Sequence, residues 1–223
     1  MKPQEIASYI DHTLLAANAT GEKIAQLCQE AIQHHFASVC VNSCWTAVCF
    51  DLLKDSKVNV CTVVGFPLGA MKTESKAFEA SQAIADGAAE IDMVLNVGLL
   101  KEGSFDAVER DIRLVKKACG TKVLKVILET CLLSDEEKAV ACRLAMQGGA
   151  DFVKTSTGFS TGGATEKDVA LMRATVGDQL GVKASGGVRS YETAITMIAS
   201  GASRLGTSSG IAIVQGAESN ASY

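Results

Sequence analysis

Three lysines and two aspartates stand where a folded chain has few places to put a charge. Asp92 interrupts the apolar run Glu90-Ile91-Asp92-Met93-Val94, and Lys125 interrupts Val123-Leu124-Lys125-Val126-Ile127. Lys154 does the same in Phe152-Val153-Lys154-Thr155, Lys183 in Gly181-Val182-Lys183-Ala184, and Asp11 lies in a fifth such run, Tyr9–Leu14. A charge removed from water is costly unless it is paired. Taken singly, each residue reads equally well as half of a buried ion pair. Taken together they point to a site, because buried pairs rarely repay their desolvation.

Two lysines held close together suggest imine chemistry. An amine attacks a carbonyl only when it is unprotonated, and a lysine with a pKa of about 10.4 is neutral roughly once in 2,500 molecules at pH 7. A second ammonium nearby disfavours the charged form. Lowering the pKa to about 7 would raise the neutral fraction by about 10³, a shift costing on the order of 4–5 kcal/mol. Lys154 and Lys183 fall in consecutive strand-like runs, so one can be the nucleophile and the other its perturbing cation; Asp92 can relay protons, directly or through water. Cysteine is the rival nucleophile. Cys40 ends a strand-like run, but none of the three histidines has an evident pairing context with it.

These residues must be positioned by a repeating frame. Eight short strand-like runs are spaced at βα-unit intervals: Tyr9–Leu14, Phe36–Asn42, Val58–Gly65, Ala89–Asn96, Val123–Glu129, Asp151–Thr155, Val182–Ser185 and Ser203–Thr207. Several are almost continuously apolar, as strands covered on both faces should be. The segments between them have helical periodicity, as in Ile24, Leu27, Cys28, Ala31 and Ile32. Ser134 with Glu137 forms a capping-box signature, and Thr165 and Ser190 precede acidic first turns. Alternation of this kind predicts a single α/β domain over residues 1–223, a (β/α)₈ TIM barrel. An open doubly wound sheet would carry a Gly-rich fingerprint after its first strand, where this chain has Leu14-Leu15-Ala16-Ala17-Asn18.

Composition narrows the function classes. The 223 residues carry 21 basic and 25 acidic side chains, a net charge of −4, which gives no reason to expect nucleic acid or a membrane as partner. No C-x-x-C pair occurs among the eight cysteines, and neither a Walker A nor an H-E-x-x-H motif is present, so no cofactor and no metal are expected. The cysteines read as reduced, mostly buried thiols of a cytoplasmic protein. The polar tail Gly216–Tyr223 is expected to be mobile; the competing reading has Tyr223 fold over the mouth and assist proton transfer.

Glycine- and hydroxyl-rich turns follow three of the later strands. Thr155-Ser156-Thr157-Gly158 follows Lys154, Ser185-Gly186-Gly187-Val188-Arg189 follows the seventh run, and Gly206-Thr207-Ser208-Ser209-Gly210 follows the eighth. Barrels often hold phosphate at the last two of these places, with backbone N–H groups free to approach an anion. Arg189 reads either as a phosphate contact or as a bridge to acidic side chains.

The stretches Asp151–Phe159 and Val182–Arg189 resemble the two lysine-bearing strands of the deoxyribose-phosphate aldolase family. So do Asp11-His12-Thr13-Leu14-Leu15, Val39-Cys40-Val41-Asn42, Gly65-Phe66-Pro67-Leu68-Gly69, Glu90–Val94 and Leu124–Thr130, in the family's order from about residue 5 to 215. The resemblance implies a class I aldolase that reversibly cleaves 2-deoxy-D-ribose 5-phosphate to D-glyceraldehyde 3-phosphate and acetaldehyde. It implies Lys154 as the Schiff-base lysine and Asp92 and Lys183 as proton donor and acceptor. Phosphate is then bound by Gly158, Gly186, Gly187, Gly206, Ser208 and Ser209, with Thr157 and Arg189 alongside, and Asp11, Cys40 and Lys125 support the site. The partner is a phosphorylated sugar, and a homo-oligomer is expected, a dimer first. The chain departs from the pattern at Phe159, where some members have lysine, and at Ser43, where many have proline. The rivals are a Schiff-base aldolase for another phosphorylated sugar or keto acid, a pyridoxal-phosphate enzyme, and a non-catalytic sugar-phosphate sensor.

Overall fold

The computed structural model describes residues 1–218, so Tyr223 lies outside the described residues. A 3₁₀ turn over Pro3–Tyr9 leads into eight strands: β1 (Ile10–Leu14), β2 (Ser38–Val41), β3 (Asn59–Val64), β4 (Glu90–Val94), β5 (Val123–Ile127), β6 (Phe152–Lys154), β7 (Gly181–Ser185) and β8 (Arg204–Thr207). All neighbours pair in parallel, and β8 returns to β1, closing the barrel. The helices are α1 (Gly21–His34), α2 (Thr46–Leu53), α3 (Thr73–Ala85), α4 (Val97–Lys101), α5 (Phe105–Cys119), α6 (Asp135–Gln147), α7 (Glu166–Val176), α8 (Tyr191–Ala199) and α9 (Gly210–Val214).

Every expected strand is present, and most are shorter than their apolar runs. The first run loses Tyr9 to the 3₁₀ turn, where Pro3 supplies a fixed φ at its first position. The fifth run ends at Ile127 because Glu129 turns into the left-handed region, with φ 57. Helix starts follow the capping chemistry. The hydroxyls of Ser134, Thr165 and Ser190 accept N–H groups of Glu137, Asp168 and Thr193, three residues on.

Strand alternation sorts the side chains. Ile91, Leu124, Val126, Val153, Val182 and Leu205 are fully buried in the large core between barrel and helices. Burial of such side chains contributes on the order of 1.5–3 kcal/mol each. A much smaller apolar cluster, Leu15, Cys40, Cys61 and Val63 with Phe66 against it, occupies the β1–β3 side of the barrel interior. The opposite side is charged. Outside the barrel, buried Lys76 on α3 donates to the Val94 carbonyl at 2.9 Å and to Asp111 on α5 at 2.6 Å, which fixes the C-terminal end of β4 against both helices.

Six cysteines are buried, and only Cys44 and Cys131 are exposed. Burial pushes the Cys119 thiol up to about 11 and the Cys142 thiol to about 12. Alkylation of the native protein near pH 8 is therefore expected to add two groups quickly, at Cys44 and Cys131, and eight in denaturant, read by intact mass. Rapid labelling of more than two thiols in the native state would contradict this packing.

Candidate active site

Adjacent inward positions on neighbouring strands bring the sequence-predicted charges together. Asp92 pairs in register with Lys125, and Lys154 with Lys183. Each carboxylate oxygen of Asp92 serves two donors. Oδ1 accepts from Lys125 Nζ at 2.8 Å and from Cys61 Sγ at 3.2 Å. Oδ2 accepts from Lys154 Nζ at 2.9 Å and from Lys183 Nζ at 2.8 Å. The two lysines of the imine reading thus meet on one oxygen atom.

A second tier locks this arrangement. Lys183 Nζ lies 2.5 Å from Asp11 Oδ2, a close ion contact without hydrogen-bond alignment. Lys125 Nζ lies 2.6 Å from Glu90 Oε2 and 3.9 Å from Asp11. Arg204 Nη1 reaches Asp11 at 2.6 Å and Glu90 at 3.3 Å, and its guanidinium sits over the Phe152 ring. The carboxylates and lysines of the cluster are almost fully buried. The two readings of the sequence, ion pairs or a site, therefore describe the same residues.

Electrostatics fix most of the charges. Burial alone would raise the carboxyls of Asp92 and Asp11, but the surrounding cations outweigh it and hold both well below the usual carboxylate range. Burial alone would likewise lower Lys183 and Lys125; Asp11 and Asp92 beside Lys183, and Asp92, Glu90 and Asp11 beside Lys125, hold both ammonium groups above the ordinary lysine range. Asp92 is consequently a weak base in this state and an anchor for three lysines. Lys154, at the C-terminal end of β6, contacts a single carboxylate, whereas Lys125, Lys183 and Arg204 each face at least two. Cys40 lies beside Cys61, whose hydrogen bond holds the Cys40 thiol below its ordinary range. The ligand atoms of Cys40, Cys61 and Asp92 lie within 4.8 Å of one another. A metal cation there would share Asp92 with three lysine side chains, whose positive charge works against a cation.

The glycine turns surround the same end of the barrel. Gly158, Gly186 and Gly187 have φ values of 86, 81 and 81, open only to glycine at low cost. The β6 and β7 loops touch: a Cβ on Gly163 would lie 2.3 Å from the Gly186 carbonyl oxygen. Gly206 makes room inside the barrel, since a Cβ there would approach Lys183 Cε to 3.0 Å and Ser185 Cβ to 2.9 Å. The Ser209 hydroxyl is buried without a hydrogen-bond partner among the described residues, and Ser208 is half-buried beside a small cavity lined by His12 and Lys23. Arg189 is exposed and makes no ion pair among the described residues, so it bridges no acidic side chain there. Both donors of Thr157 are engaged by Glu129.

Sequence reasoning missed Glu90, Arg204, Cys61 and Glu129. For the first two a signal existed: Glu90 precedes Asp92 by two residues and Arg204 precedes Gly206 by two, the strand spacing of a shared face.

The sequence model of the DeoC/LacD family aldolases matches residues 6–216. A deoxyribose-phosphate aldolase of Brevibacillus brevis is 63% identical over 96% of this chain and 97% of its own length. One from Geobacillus sp. is 61% identical over 98% of both. Among solved structures, one from Coccidioides immitis described as a candidate deoxyribose-phosphate aldolase superposes with a TM-score of 0.95 at 42% identity, covering 96% of this chain and 86% of that one. A tetrameric deoxyribose phosphate aldolase from Aeropyrum pernix gives 0.88 at 35% identity, covering 96% and 91%.

Replacing Asp92 with Asn would leave three ammonium groups crowded around a neutral amide. Loss of about 3–5 kcal/mol of stability is expected, as for breaking a buried pair, measured as a lowered urea midpoint with an unchanged slope. An unshifted midpoint would mean that the lysines do not depend on this anchor.

Proposed function

The chain belongs to the DeoC/LacD family of aldolases, and from that membership we propose that it works through a Schiff base on Lys154. The reaction is the reversible cleavage of 2-deoxy-D-ribose 5-phosphate to D-glyceraldehyde 3-phosphate and acetaldehyde. The observation that carries the assignment of roles is the shared Asp92 oxygen, which brings Lys154 and Lys183 together.

Charge balance supports Lys154 as the nucleophile. Asp11, Glu90 and Asp92 are three acids facing four bases, Lys125, Lys154, Lys183 and Arg204. Removing one proton balances the cluster, and Lys154 is the base with the fewest acidic contacts. Lys183 remains a fixed cation beside it.

The neutral Lys154 amine attacks C1 of the open-chain aldehyde, and loss of water gives an iminium. A base drawn from Asp92 and water takes the proton of the C3 hydroxyl. The C2–C3 bond breaks, its electron pair moving to the iminium nitrogen, and glyceraldehyde 3-phosphate leaves. The remaining two-carbon enamine is protonated at C2, and water hydrolyses the imine to acetaldehyde and free Lys154.

Phosphate binding falls to the N–H groups of Gly158, Gly186 and Gly187 and to the hydroxyls of Ser208 and Ser209. Gly206 serves by leaving space for Lys183, and Arg189, exposed and without an ion pair among the described residues, is available to the anion. A homo-oligomer is the proposed assembly, a dimer first; the exposed apolar side chains of Phe50, Leu52 and Phe78 and the tetrameric relative from Aeropyrum pernix support self-association. Reduced thiols and the metabolic substrate support a cytoplasmic setting.

The test is the release of acetaldehyde from 2-deoxyribose 5-phosphate. Lys154→Arg, which keeps a charge but forms no imine, should fall to background. Lys183→Met should lose about 10²-fold or more, and its acid limb in kcat/KM should move to higher pH, because the cation that disfavours a protonated neighbour is gone. Full activity in Lys154→Arg would overturn the imine reading. An unchanged pH profile in Lys183→Met would remove its role.

A further inference from the structure

Glu129 occupies a conformation that its residue type makes costly. It is buried and has φ 57, in the left-handed region where a residue other than glycine is uncommon. His35, the other such residue among those described, caps the end of α1; Glu129 instead follows a strand. The ladder between the extensions of β5 and β6 carries one extra residue at this point. Leu128 N–H donates to the Lys154 carbonyl and Thr130 N–H to the Thr155 carbonyl, so a step of two residues on one side answers a step of one on the other.

The bulge turns the Glu129 carboxylate onto the loop that follows Lys154. Oε1 accepts the backbone N–H of Thr157 at 3.2 Å, and Oε2 accepts its hydroxyl at 2.5 Å. Thr157 Oγ1 then accepts the N–H of Phe159 at 3.0 Å, closing a turn around Gly158. No basic side chain pairs with this carboxylate among the described residues, and its hydrogen bonds go to the turn. The same residues, Glu129, Thr157, Phe159 and Ser160, line a cavity of about 120 Å³ next to Leu132 and Leu68.

We propose that Glu129 is a positioning residue for substrate phosphate: by holding both donors of Thr157 it fixes the Thr157–Phe159 turn and so aims the backbone N–H of Gly158. The inference rests on the reading of Gly158 as a phosphate contact given above. It explains why a buried acid is kept at a backbone position that glycine would fill more cheaply.

Glu129→Gly relieves the backbone and removes the carboxylate, so it separates fold from positioning. Its KM for 2-deoxyribose 5-phosphate should rise about tenfold or more, with kcat changed by less than about threefold, as expected for lost hydrogen bonds to a charged group. Its KM for unphosphorylated 2-deoxyribose should not change. Glu129→Gln can accept the Thr157 N–H and donate to its hydroxyl oxygen, and should restore the wild-type KM. Equal losses on both sugars, no loss at all, or a Gln variant as impaired as the Gly variant would overturn the proposal. Should Glu129→Gly fail to fold, Glu129→Asp, too short to reach Thr157, should show the same KM split, and a fall in kcat on both sugars would count against it. Deuterium exchange into the methyl group of acetaldehyde separates the two readings, because acetaldehyde carries no phosphate. Absence of exchange in the wild type would sink the imine, and exchange kept by the wild type but lost in Glu129→Gly would overturn the positioning role.

Discussion

Burying three carboxylates and four basic side chains inside one barrel is the constraint on which the rest of the structure depends. Each ion removed from water costs several kcal/mol even after relaxation, and removing one partner leaves an uncompensated charge. The cluster is held because its two aspartates each tie several strands together: Asp92 joins β3, β5, β6 and β7, and Asp11 joins β5, β7 and β8. Barrel closure is what makes those contacts possible, since β1 and β8 must meet before Arg204 can reach Asp11. The apolar shell between strands and helices supplies the favourable free energy against which this polar interior is set.

The same arrangement gives the interior two unlike halves. Small apolar groups and thiols fill the space beside β2 and β3, and the charges gather on β4–β8 together with Asp11 of β1. Lys154, on β6 within that charged half, is the member with a single acidic contact. Reactivity in this account comes from incomplete compensation of one lysine in an otherwise compensated network. In the proposed function the glycine turns meet a second requirement, room for an anion, and the turn held by Glu129 follows the Lys154 strand.

Much of this was legible in the sequence because it depends on local pattern. Apolar runs at βα spacing gave the eight strands, and caps such as Ser134 gave the helix starts. Lys154, Lys183, Asp92, Lys125 and Asp11 stood out because a charge in an apolar run is anomalous. Arg204 was hidden because its run, Ser203–Thr207, is not strongly apolar, and Glu90 because it reads as the polar start of a strand. Glu129 could not be found from pattern at all. Its importance lies in a left-handed φ and in a contact 28 residues along the chain, neither of which leaves a period in the sequence. Strand ends were overestimated for a related reason: backbone turns begin inside segments whose composition still reads as strand.

The central claim is that the carbon–carbon bond is worked on as an imine of Lys154. The most direct measurement is peptide mass mapping after borohydride reduction in the presence of acetaldehyde. The account predicts a reduced two-carbon adduct on Lys154 alone. An adduct on Lys183 or Lys125 would overturn the assignment of roles, and a folded protein that takes no adduct would contradict the imine mechanism altogether.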